Sequence, residues 1–196
     1  MGDRLVIPVF FDFASTLCYA AHRVMGRLDG ELTAMRVALD WRPIDLARIT
    51  GWERGQDVVG ARRPHVMQVA TELAGPVRMP PYWIDSRPAA AVCLTLRGSC
   101  KEPAWRERVW TAVFEEGRVP DDDGALDAWA RDLDLDVAAR SVSLAPVEAE
   151  TELARARGVD GVPTFVLGDW PMAGIQDDAT MLTLLRRYSE RRRQNV

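Results

Sequence analysis

Cysteine and histidine are scarce in this chain. There are three cysteines (Cys18, Cys93 and Cys100) and two histidines in 196 residues. The cysteines are odd in number and none has a close neighbour in sequence. That argues against a disulfide framework or a metal site of zinc type, and fits a reducing compartment. No apolar run approaches the ~20 residues of a membrane span, so no membrane partner is expected. Neither sign of charge dominates: the formal net charge is −4, which argues against a nucleic-acid partner. The N-terminus carries no leader with a small-residue cleavage site, and a cytoplasmic location is expected. Internal repeats and low-complexity tracts are also missing. What is present is ordinary for a soluble globular protein, 47% hydrophobic and 28% charged. The length suits one domain, or one domain carrying an insertion, with a sizeable core.

The most informative stretch lies near the start. Leu5-Val6-Ile7-Pro8-Val9-Phe10-Phe11 is an apolar run of strand type. Asp12-Phe13-Ala14 is a sharp turn. A helix then opens at Ser15, a favoured N-cap residue, with Leu17, Ala20, Ala21, Val24, Met25 and Leu28 recurring at helical spacing. A helix N-terminus offers unpaired N–H groups and partial positive charge, so it stabilises an anion such as a thiolate.

Further along, Met35, Val37, Leu39 and Trp41 alternate, and predict a strand over 34–41 that Arg42-Pro43 ends. Residues 49–57 form a polar loop with Gly51 and Gly55. Helices are predicted at about 58–73, from Asp85 or Ser86 to Arg97, at 103–116, 124–133 and 135–142, and from Pro146 to a C-cap at Gly158. Strand signals return at Thr164-Phe165-Val166-Leu167, a turn follows at Gly168-Asp169, and Pro171-Met172-Ala173 pairs back as an edge strand. Asp177 or Asp178 caps a last helix.

The expected fold is therefore α/β, with a β-α-β unit, a long helical stretch, and then β-β-α. This order is similar to the DsbA-type branch of the thioredoxin superfamily. Gly158-Val159-Asp160-Gly161-Val162-Pro163-Thr164-Phe165-Val166-Leu167-Gly168 resembles the "GV-x-GVPTF" segment of that branch, whose proline is cis. Phe11-Asp12-Phe13-Ala14-Ser15-Thr16-Leu17-Cys18-Tyr19 resembles the "FDF-x-SP-x-SY" segment of 2-hydroxychromene-2-carboxylate isomerases, and kappa-class glutathione transferases carry a similar one. Pro43-Ile44-Asp45-Leu46-Ala47-Arg48 resembles the isomerases' "IDLAR", and Asp85-Ser86-Arg87 their "NSR". The resemblance is close over residues ~5–48 and ~154–188. It implies a thioredoxin-like core at 1–44 and 158–196, and an all-helical insertion at 45–157 between the second and third strands. Where thioredoxin-like oxidoreductases carry Cys-x-x-Cys, this chain has Ser15-Thr16-Leu17-Cys18. A hydroxyl stands in place of the attacking thiol, which suggests that a ligand brings the sulfur.

Each candidate residue has a plain alternative. Ser15, as a catalytic residue, donates a hydrogen bond to the sulfur of bound glutathione; otherwise it only caps the helix. Cys18 is a redox-active or ligand-positioning thiol, or a buried small hydrophobe. His22 points toward solvent by its helical angle. The resemblance implies that the backbone at Val162 and Pro163 pairs with the bound thiol. It also implies that Gln176, Asp177 and Asp178 hold the γ-glutamyl group; the alternative for these three is helix capping. Asp85 and Arg87 would meet a substrate acid, and Trp41, Trp170 and Met172 would wall an apolar pocket. Asp121-Asp122-Asp123 lacks the spacing of a calcium loop, and the arginines of the last helix complement its dipole.

By resemblance, the expected activity is that of an isomerase or transferase using glutathione or another small thiol on an aromatic-derived unsaturated acid, in a homodimer. The alternatives are a DsbA-type thiol-disulfide oxidoreductase with a degenerate Ser-x-x-Cys motif, and a non-catalytic thioredoxin-fold binding protein.

Overall fold

The computed structural model describes residues 4–57, 63–120, 122, 124–137 and 141–194. Its centre is β1 (Leu5–Phe11), whose alternate residues Ile7, Val9 and Phe11 are fully buried on one face. α1 (Thr16–Arg27) follows, then a short α2 (Asp29–Ala34), then β2 (Val37–Pro43) parallel to β1, with Leu5 opposite Val37 and Phe11 opposite Pro43. β2 therefore lies later than the predicted 34–41. Residues up to Ala34 close α2, and Arg36 turns the chain at φ 51° before the strand begins. Pro43 does not end the strand early. It is the last residue of an edge strand, where a missing N–H costs least.

After β2 the regular elements of the described residues are helices, as predicted, with one isolated antiparallel bridge between Asp57 and Tyr82, until the sheet resumes. α3 (Leu46–Thr50) ends on Gly51 in the left-handed region, and α4 (Arg63–Ala74) packs along α1. The predicted start of α4, residues 58–62, lies outside the described residues. α5 (Arg87–Thr95) has Pro88 in its first turn. α6 (Lys101–Thr111) runs into one π-helical turn at Ala112–Glu116, and α7 (Ala125–Asp132) and α8 (Ala145–Ala156) follow. The helix predicted at 135–142 is not formed over 135–137, and 138–140 lie outside the described residues, as do Asp121 and Asp123. Gly158, at φ 75°, follows α8 as its left-handed terminator.

β3 (Thr164–Leu167) returns antiparallel to β1, with Val9 opposite Phe165, and β4 (Trp170–Ala173) pairs back on β3. The sheet order is β2-β1-β3-β4. α9 (Asp178–Gln194) completes the thioredoxin-like β-α-β…β-β-α order. Its Met181 and Leu185 join the core on the α1 face of the sheet; on the other face Phe10 and Val166 pack with Ala154 and Val159 near α8. Among the described residues no helix is long and apolar enough to cross a membrane.

The helical insertion shares one core with the sheet rather than forming a second one. Trp110 of α6 is fully buried, with ring centroids 5.1 Å from Phe11, 5.2 Å from Phe13 and 5.9 Å from Trp41. Aromatic pairs at such separations add to the burial of their own surface. Trp110→Ala is expected to lower unfolding stability by about 3–5 kcal/mol. Urea denaturation followed by circular dichroism checks this; a loss under about 1 kcal/mol would mean that the two parts are held together elsewhere.

Candidate active site

β1 delivers the chain into the sheet's carboxyl edge and α1 leaves from it, so the turn between them is set by the last strand residue. That turn is held by Asp12. Its carboxylate, 1% exposed, accepts from the Ala14 N–H and the Leu46 N–H at 2.8 Å each, and from the Ser86 hydroxyl at 2.6 Å. One side chain thus joins the start of α1, the start of α3 and the start of α5. Burial raises the Asp12 carboxyl to about 6, with the nearby Asp45 adding in the same direction and the three donors opposing. Ser86 stands at the head of α5 as predicted, but its hydroxyl serves Asp12 and does not cap the helix.

Ser15 caps α1. Its Oγ accepts from the Cys18 N–H at 3.3 Å, and its backbone is extended, as a cap residue requires. A hydroxyl has two lone pairs and one hydrogen. The cap uses a lone pair, so the O–H remains able to donate. The first N–H groups of the helix lack intrahelical acceptors and add a fixed positive potential.

Ser15 opens onto a cleft of about 320 Å³. It is lined by Ala14, Thr16 and Leu17 around the start of α1, by Leu46, Thr50 and Trp52, by Arg63 and Val66 of α4, and by Met79, Pro80, Tyr82 and Trp83. Asp160, Gly161 and Val162 close it. The Val162–Pro163 peptide is cis. Two sites distant in sequence, Ser15 and Val162, therefore face one space, as the resemblance implied.

Other expectations are corrected. Cys18 is fully buried, and burial pushes its thiol up to about 12, outweighing the Ser15 hydroxyl and the Asp12 backbone that favour the thiolate. It packs in the core, without the lowered pKa and exposure that an attacking thiol requires. Trp41 is buried under the site against Phe11 and Trp110, and Trp170 stands 57% exposed on β4; neither lines the cleft. Met172 of β4 packs against the core from the same edge strand. Gln176, Asp177 and Asp178 are also outside the lining. Asp177 accepts from the Thr180 N–H at 2.9 Å and caps α9, and Asp178 pairs with Arg27 at 2.6 Å. Arg87 is occupied by Asp85, at 2.6 Å and 2.8 Å, and Arg54 joins that pair. Burial would raise Asp85, but Arg87 and Arg54 bring it below the usual carboxylate range. Arg87 lines a neighbouring cavity with Asp45, Arg48 and Glu148, and not the cleft beside Ser15. His22 does not face water freely. Its Nε2 meets Glu107 at 2.5 Å and its ring lies 4.7 Å from Trp110.

Asp12, Trp52 and Arg63 were not singled out from sequence. A carboxylate between two phenylalanines at the end of an apolar strand was a readable sign of a buried charge. Trp52, an aromatic in a polar loop, was a weaker sign. Arg63 carried none.

A family model, that of the DSBA-like thioredoxin domain, matches residues 6–186. A search of curated proteins returns no match. Among solved structures, a 2-hydroxychromene-2-carboxylate isomerase is 25% identical, with a TM-score of 0.75, over 97% of this chain and 98% of its own. The cytosolic disulfide reductase DsbM from Pseudomonas aeruginosa, solved with GSH, is 19% identical with a TM-score of 0.60 over 97% and 98% of the two chains. A thioredoxin-like oxidoreductase from Silicibacter pomeroyi is 19% identical with a TM-score of 0.55, over 96% and 86%.

Two measurements follow from this geometry. In iodoacetamide labelling of the folded protein, Cys100, which is exposed, should react, whereas Cys18 and Cys93 should resist until the chain unfolds. Rapid alkylation of Cys18 in the native state would reverse the correction above. The second measurement concerns Asp12, whose folded pKa is raised from 3.8 to about 6. The native state then binds a proton more tightly than the unfolded state. Its contribution is fully present below about pH 4 and is lost as pH rises through about 6, by about 3 kcal/mol at ~1.36 kcal/mol per unit. Urea melts of wild type and Asp12→Asn across this window should differ by that slope, and parallel curves would exclude it.

Proposed function

The chain belongs to the DSBA-like thioredoxin family, and from that premise we propose that it is an enzyme using a small thiol, glutathione in the first instance, to isomerise or transfer to an aromatic-derived unsaturated acid. One observation carries this reading. The N-terminus of α1 keeps the surroundings of a thiolate, yet the chain's own residue there is Ser15 and the nearest thiol, Cys18, is buried. The likeness to a 2-hydroxychromene-2-carboxylate isomerase and to a reductase solved with GSH supports it.

The residues fit a thiol ligand at its sulfur end. Ser15 at the N-terminus of α1 and Val162 both line the cleft, and a helix N-terminus favours an anion. They fit less well at the γ-glutamyl end, because Asp177 and Asp178 are engaged with Thr180 and Arg27. Asp160 is the carboxylate among the described cleft residues and is the better candidate for an ammonium group. When bound, the thiol supplies a nucleophilic sulfur that adds to and then leaves an unsaturated carbon, with no net oxidation or reduction. The chain's own part is to favour the charged sulfur through Ser15 and the helix end. Its apolar walls, Leu46, Val66, Met79 and Trp83 among them, exclude water and hold the second reactant against that point. The proposed compartment is the cytoplasm, which suits three free cysteines, one of them exposed.

Isothermal titration with millimolar glutathione is expected to show binding at one site; absence of heat with glutathione and with other small thiols would end this reading. Ser15→Ala removes a charge-assisted hydrogen bond worth ~1.5–3 kcal/mol. The bound thiol should titrate about one to two units higher, at ~1.36 kcal/mol per unit, and turnover near neutral pH should fall about tenfold or more. The lost cap should cost only ~0.5–2 kcal/mol of stability. Thiolate absorbance of the saturated complex against pH reads this directly. Identical curves for wild type and a variant that still binds would leave Ser15 as a helix cap alone.

A further inference from the structure

The arginines around the site fall into two groups. Arg48 pairs with Glu152 at 3.0 Å, Arg87 with Asp85 at 2.6 Å, and Arg54 with both Asp45 and Asp85. All three face the neighbouring cavity, where carboxylates answer them. Arg63 differs. It is half-buried in the first turn of α4, it is the cation among the described residues of the Ser15 cleft, and it has no carboxylate in pairing distance among the described residues. It opens α4, which packs on α1, the helix that carries Ser15.

Trp52 is the second unusual side chain. It is 45% exposed, a large exposed hydrophobic like Val6 and Trp170 among the described residues, and unlike those two it lines the cleft. Its loop is fixed by backbone hydrogen bonds from Gly55 N–H to the Trp83 carbonyl and from Trp83 N–H to the Gln56 carbonyl, each 2.8 Å. Trp83 also meets the Trp52 ring edge-on, with centroids 4.7 Å apart at 80°. An indole left open to water yet held this firmly is a prepared surface for a planar group, since little freedom remains to be lost on binding. A cleft of about 320 Å³ lies at the small end of ligand pockets, which run from ~300 Å³ upward.

We propose that Trp52 and Arg63 recognise the second reactant: a planar unsaturated ring system lies against the Trp52 indole, and its carboxylate is met by the Arg63 guanidinium. This rests on the cleft being the thiol-dependent site proposed above, and it moves acid recognition from Arg87 to Arg63. A guanidinium in a largely apolar cleft pairs well with a carboxylate because both can be desolvated together with two parallel hydrogen bonds.

The test uses trans-cinnamate, a planar unsaturated aromatic acid, and trans-cinnamamide, the same plane without the charge, on the full chain with no thiol present. Calorimetry and quenching of tryptophan fluorescence are both read. Wild type should bind cinnamate saturably, and cinnamamide about tenfold or more weaker, as expected for loss of one charge-assisted hydrogen bond. Arg63→Ala should erase that difference while leaving cinnamamide affinity unchanged, and Arg63→Lys should restore part of it. Trp52→Ala should weaken both probes. Trp52→Phe should keep calorimetric binding of both while losing most of the quenching. Equal binding of the two probes, no saturable cinnamate binding, or an Arg63→Ala variant that loses glutathione and not cinnamate would overturn the proposal. Glutathione binding is measured separately, so failure of the thiol reading is distinguishable from failure of this one.

Discussion

A carboxylate with almost no access to water holds the site together. Asp12 takes its hydrogen bonds from three segments that are far apart in the chain: the turn at Ala14, the Ile44–Leu46 connection and Ser86. Two of the three donors, Ala14 and Leu46, line the cleft. Ala14 sets where α1 begins, Leu46 lines the cleft, and Ser86 ties the head of α5 to the strand end. A buried carboxyl is costly unless its lone pairs are met, and here three donors meet them. The cost that remains shows in the raised pKa. The arrangement adds buried polar contacts between the thioredoxin-like core and the helical insertion, beside the aromatic packing of Phe11, Phe13 and Trp110.

Chemistry at the helix end follows from what Asp12 positions. The first turn of α1 presents N–H groups and a hydroxyl to a space walled by apolar side chains. In such surroundings a charge is stabilised by fixed dipoles and not by water, and the effect on a thiol is to favour its ionised form. Cys18 does not share in this. It lies one turn inward, where burial dominates every favourable contact. The same helix thus opens onto the cleft at Ser15 and buries its own thiol at Cys18.

Charge around the cleft is divided by pairing. Asp45, Asp85, Glu148 and Glu152 answer the arginines of the neighbouring cavity, so that side is close to neutral. Trp52 stands between the two spaces and lines both. The division matters because an arginine already held by two oxygens has little left for a ligand, whatever its distance from the site.

Most of the fold was legible in the sequence by itself. Apolar runs located β1 and β3, helical spacing located α1, and a capping aspartate before apolar residues located α9. Ser15 was legible as a cap from its place before an apolar helical stripe, and Val162-Pro163 from the motif around it. The residues that complete the cleft were not. Arg63, Trp52 and Val66 lie on a loop and a helix face whose neighbours come from elsewhere in the chain, and no local pattern records that meeting. Arg87, Trp41 and Asp178 were read into the site because residue type suggests chemistry; pairing, burial and distance removed them. Local order follows from propensity and period, which a sequence carries. Which side chains share a space, and which charges are already spent on each other, is decided only when the packed chain brings them together.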